Sequence, residues 1–66
     1  MTVTINGETR VARQGDSVSS LLQSLGLTPK NVAVERNGGI VPRSLYHETP
    51  LQPGDKLEIV QFVGGG

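Results

Sequence analysis

The sequence predicts an α+β domain, a mixed sheet of four to five strands packed on one helix. Three observations lead there. Apolar and polar residues alternate in "MTVTI", "NVAVERN" and "KLEIVQFV", the period of a half-buried strand. One stretch changes to helical spacing: Val18, Leu21, Leu22 and Leu25 fall at i, i+3, i+4 and i+7. Turn chemistry separates these runs, above all at Asn6-Gly7 and in "QPGD" (52–55).

In the first run Met1, Val3 and Ile5 share one face, and Thr2 and Thr4 the other. Asn6-Gly7 suits a type I′ turn, whose two central residues both need positive φ. "ETRVA" then returns as the second strand of a hairpin, with Thr9 and Val11 expected to face inward. "RQGD" breaks the pattern. Asp16 or Ser17 can cap the helix that follows, and Gly26 stands where a helix stops. So short a helix needs a sheet to cover its apolar stripe.

After "TPK", Val32 and Val34 share a face. Gly38-Gly39 is expected to turn the chain into a short strand, "IVP", which Pro42 ends or confines to an edge. "RSLYHETPL" reads as a loop or short turn. In "QPGD", Pro53 presets φ and Gly54 supplies the positive φ of a type II turn. "KLEIVQFV" is the last strand, and it can lie beside the first. That order of elements is the ubiquitin-like β-grasp arrangement. The expected division is a domain over residues 1–63 and a flexible C-terminal glycine tail over 64–66.

Composition narrows the function. A chain of 66 residues has a thin core and little room for an enclosed catalytic pocket. Catalysis in isolation is therefore not expected. Six basic and six acidic residues cancel, and no basic block suits nucleic acid. No cationic amphipathic stretch suits a membrane surface, and no apolar run approaches the ~20 residues of a span. "MTVTING" lacks the features of a signal peptide, so the expectation is a cytoplasmic protein. Cysteine is absent, and the lone His47 has no partner at ligand spacing, so no metal site is expected. Ser17, Ser19 and Ser20 have no general base nearby in sequence.

What remains is the end, "QFVGGG". A glycine run can be a frayed terminus. It can also be a device, because residues without Cβ can thread a channel too narrow for any other. A terminal α-carboxylate is ionised at neutral pH. It can attack the α-phosphate of ATP to form an acyl adenylate, which then accepts a nucleophile. The protein is then a carried substrate.

The opening "VTINGE", the piece "VAVERNGGIVPRSLY" (32–46) and the ending "LQPGDKLEIVQFVGGG" (51–66) together resemble the sulfur carrier proteins. The closest likeness is to the thiamine-biosynthesis sulfur carrier (ThiS) family. It spans nearly the whole chain. Gly39 departs from the polar or charged residue frequent there, and Tyr46 stands where tryptophan is frequent. The resemblance implies that no cofactor is bound. A ubiquitin-activating-type adenylyltransferase uses ATP to adenylate Gly66. A sulfur donor such as a cysteine desulfurase then converts it to a thiocarboxylate, which donates sulfur on thiazole synthase. Gly64 and Gly65 are the thread through the partners' sites. The same tail also fits a carrier for molybdopterin, cysteine or tRNA thiolation, a ubiquitin-like protein modifier, or an interaction module with an inert end.

The last strand adds a surface. Leu57, Ile59 and Val63 share one face, and Lys56, Glu58, Val60 and Phe62 the other. Val60 and Phe62 are candidates for an exposed partner-binding patch beside the tail. The alternatives are that Phe62 tucks under a loop or that a bulge swaps the faces.

Overall fold

The structure, a computed structural model, describes residues 1–62. Strands β1 (Thr2–Ile5) and β2 (Glu8–Val11) form the opening hairpin. At its turn Asn6 and Gly7 have φ of 51° and 84°, the left-handed pair a type I′ turn requires. Helix α1 covers Val18–Ser24. Strands β3 (Val32–Arg36) and β4 (Gly39–Val41) form a second hairpin, and β5 (Lys56–Gln61) follows. Short 3-10 helices occupy Pro29–Asn31 and Arg43–Glu48.

One sheet holds all five strands in the order β2-β1-β5-β3-β4. β1 and β5 run parallel, and the other neighbours pair antiparallel. β5 therefore lies inside the sheet, bonded on both sides.

Helix α1 starts with a reciprocal cap. Ser17 Oγ accepts from the Ser20 N–H at 3.1 Å, and Ser20 Oγ accepts from the Ser17 N–H at 2.8 Å. Leu25 closes the helix, and Gly26 leaves it in the left-handed region. Val18, Leu21 and Leu22 are buried against one face of the sheet, which supplies Val3, Ile5, Val32, Val34, Val41, Leu57 and Ile59. Ala12, Tyr46 and Leu51 close the margins of this core.

Three expectations are corrected. Val11 is 84% exposed, and Thr9 is exposed with it. The two-residue turn sets the pairs Thr4↔Thr9 and Thr2↔Val11, and directly opposed residues share a face. Thr9 and Val11 thus join Thr2 and Thr4 on the side away from the helix. The second turn is Asn37-Gly38, with φ of 52° and 86°, while Gly39 already belongs to β4. The segment expected as a loop or short turn contains a longer element, the six-residue 3-10 helix Arg43–Glu48. It buries Tyr46, whose hydroxyl donates to the Val32 carbonyl at 3.3 Å.

Candidate functional site

The surface in question is built on β5. Its alternation buries Leu57 and Ile59 against the helix and leaves Lys56, Glu58 and Val60 facing outward. Five successive pairs, from Val32↔Gln61 to Arg36↔Leu57, run without a bulge. The Phe62 N–H donates to the Asn31 carbonyl at 2.8 Å, one rung further along. Val60 is 59% exposed and Phe62 54%. Neither a covering loop nor a bulge places them in the core. Ile40, 70% exposed, belongs to the same outer face through its pairing with Glu35. Between these apolar side chains Glu35 stands directly opposite Glu58.

Polar side chains hold the strand in place. Asn6 reaches across from the first turn and pairs with both backbone groups of Ile59: Nδ2 donates to the carbonyl at 3.1 Å, and Oδ1 accepts from the N–H at 2.8 Å. Asn37 does the same work from the second turn. Its Oδ1 accepts from the Lys56 N–H at 2.9 Å, and its Nδ2 donates to Asp55 Oδ1 at 3.0 Å. The left-handed backbone of each asparagine aims the side chain at β5.

Asp55 is the buried charge at the strand's entry. Its Oδ2 accepts from Arg36 Nε at 2.7 Å and from the Gln52 N–H at 2.8 Å. Burial pushes its pKa up. The hydrogen bonds from Arg36, Asn37 and Gln52, with the Arg36 charge, outweigh that and hold the carboxyl below its ordinary value. In the sequence this residue reads only as part of a turn; its one local signal is an Asp directly before a strand and after Pro-Gly.

Gly64, Gly65 and Gly66, the sequence's candidates for the carried group and its thread, lie outside the described residues, as does Val63. The structure brings Val60 and Phe62 onto one outward face at the C-terminal end of β5. The end of the expected domain at residue 63 is likewise outside. His47 sits in the last turn of the second 3-10 helix. Among the described residues no group of three or more His, Cys, Asp or Glu could hold a metal ion. No helix among them is long and apolar enough to cross a membrane.

Comparison with known proteins covers both the fold and the glycine run. The ThiS family model matches residues 3–66. A protein of Paramagnetospirillum magneticum named thiazole synthase is 50% identical over 66 residues, which is 100% of this chain and 20% of that protein. The chain thus spans about a fifth of that relative's length. The sulfur carrier protein ThiS of Bacillus subtilis is 48% identical over 50 residues, 76% of each chain. Among solved structures, the thiamine biosynthesis protein (ThiS) of Geobacter metallireducens superposes with a TM-score of 0.80 at 33% identity, covering 100% of both chains.

Proposed function

Because this chain belongs to the ThiS family, we propose that it is a sulfur carrier in thiamine biosynthesis and that its cargo rides on Gly66. In this reading the chain is acted upon and does not itself catalyse. An adenylyltransferase of the ubiquitin-activating type binds it with ATP. A Gly66 carboxylate oxygen attacks the α-phosphorus, and pyrophosphate leaves. The terminal sulfur of a persulfide, supplied by a donor such as a cysteine desulfurase, then displaces AMP and gives an acyl disulfide. A thiol reduces that disulfide, forming a new disulfide and releasing the Gly66 thiocarboxylate. Thiazole synthase receives the sulfur.

One observation carries the reading: the family match extends from residue 3 to residue 66 and so takes in the glycine run together with the fold. The exposed Val60 and Phe62 support it. Four extended residues span at most about 14 Å, so an enzyme that engages Gly66 must sit close to Phe62. A half-exposed aromatic is the kind of anchor such a partner buries. A fifth of a protein named thiazole synthase matches this whole chain, which supports that enzyme as the acceptor.

The test is pyrophosphate release from ATP with a candidate activating enzyme. Release is expected with the intact chain and not after removal of Gly66. Gly65→Val should block the same step, since a branched Cβ enters a channel shaped for none. Transfer to an acceptor other than thiazole synthase would favour molybdopterin, cysteine or tRNA thiolation. A ladder of lysine conjugates would favour a protein modifier.

A further inference from the structure

The far side of the sheet ends in β2, whose four residues are all exposed. Its hydrogen-bonding phase is set at the hairpin's open end. The Ala12 N–H donates to the Met1 carbonyl at 2.8 Å, and the Met1 ammonium donates to the Ala12 carbonyl at 3.1 Å. Antiparallel ladders alternate, so Glu8 and Arg10 bond inward to β1. The backbone groups of Thr9 and Val11 then point outward, unpaired by the sheet. A free edge of this kind is a template for another strand.

The side chains on that edge are complementary to themselves. Glu8 and Arg10 lie opposite Ile5 and Val3 and so share the helix side of the sheet. Their charged groups stand 4.0 Å apart, both largely in solvent. We propose that β2 pairs antiparallel with β2 of a second copy about a twofold axis at Thr9, joining two sheets into one.

Charge selects that register. Three alignments put the outward groups in bonding phase: Thr9 against Thr9, Thr9 against Val11, and Val11 against Val11. The second sets Arg10 against Arg10. The third moves Glu8 beyond the paired segment. Only the first places Glu8 of each copy opposite Arg10 of the other, twice by symmetry. Those pairs fall at the non-hydrogen-bonded positions, where opposed side chains come closest. Thr9 meets Thr9 at the centre, a favourable cross-strand pair. Val11, 84% exposed in the single chain, gains a diagonal neighbour in Thr9 of the second copy.

This contact does not depend on the sulfur-carrier reading. β1 separates β2 from β5, so Val60 and Phe62 stay free in the dimer. Four residues bury far less than the ~1,200 Å² of a standard interface, so association is weak and concentration-dependent.

Sedimentation equilibrium of the full chain, from about 10 μM to about 1 mM, tests it directly. The average mass should climb toward that of the dimer. Arg10→Glu turns both pairs into like-charge contacts and should raise the dimer dissociation constant roughly tenfold or more. Glu8→Arg should do the same. The doubly exchanged chain, Glu8→Arg with Arg10→Glu, should return close to the parent value. Amide exchange at Thr9 should slow as concentration rises. A monomer throughout the range would overturn the proposal. So would association indifferent to either single reversal, or a double exchange that fails to restore it.

Discussion

The backbone N–H of Phe62 donates to the carbonyl of Asn31 at 2.8 Å, continuing the β3–β5 ladder one rung past Gln61. This bond ties the Phe62 backbone to the residue that precedes β3. It also holds the Phe62 backbone in register while the residue stays more than half exposed. Positioning and exposure at one residue suit a recognition anchor better than a core residue.

Replacing Phe62 by Glu should accordingly leave the thermal midpoint nearly unchanged. Binding to the activating enzyme or to thiazole synthase should weaken about tenfold or more, on the order of 1.4 kcal/mol. Calorimetry on the free protein and titration against each enzyme separate the two effects. Unfolding of the variant would show that the ring belongs to the core.

Asp55 gives stability a pH dependence of known sign. Its folded-state pKa lies below the unfolded one, so the unfolded chain holds more protons through the acidic range. Its contribution is full above the ordinary carboxyl value of about 4 and is lost as pH falls through the depressed folded value. Asp55→Asn should remove that part of the slope. At neutral pH it should cost about 1–3 kcal/mol, because Arg36 and the Gln52 N–H lose a charged acceptor. Urea titrations at neutral and acidic pH should show the variant and parent converging as the acid range is entered.

Two substitutions at Asn6 separate backbone from side chain. Asn6→Gly keeps the left-handed φ of 51° but loses both bonds to Ile59, and should cost about 1–3 kcal/mol. Asn6→Ala adds the strain of a Cβ in that region, about 1–2 kcal/mol more. Equal stabilities for the two variants would mean that the turn conformation is not strained for alanine.

Glu58 faces Glu35 directly across the ladder. Like charges in that position are destabilising, so Glu58→Thr should stabilise the free protein by roughly 0.2–1 kcal/mol. A stability loss would show that the carboxylate has a favourable role in the isolated domain.

The parts legible in the sequence were those set over short range. Asn6-Gly7 dictates its turn, the spacing of Val18, Leu21 and Leu22 dictates the helix, and the alternation of β5 separates Leu57 and Ile59 from Val60 and Phe62. The outward face of Val11 is encoded too, since a two-residue turn pairs Thr2 with Val11, and that register overrides the apolar character that suggests an inward side chain. The Asn37-Gly38 turn competes with Gly38-Gly39 on local chemistry alone. Asn37 docks on Lys56 and Asp55, contacts 19 and 18 residues away that no local pattern displays. The Arg36–Asp55 bond is hidden for the same reason. Tyr46 sits in a 3-10 helix, whose three-residue period matches neither strand nor α-helix spacing. For the glycine run, composition and family membership are the whole of what is legible.

The most direct measurement is the intact mass of the chain after incubation with ATP, the activating enzyme, a persulfide source and a reducing thiol. A gain of about 16 Da is expected, sulfur replacing one oxygen, confined to the peptide that ends in Gly66. No gain is expected when Gly66 carries a C-terminal amide. An unchanged mass with the free carboxylate, or the same gain in the amidated chain, would contradict it.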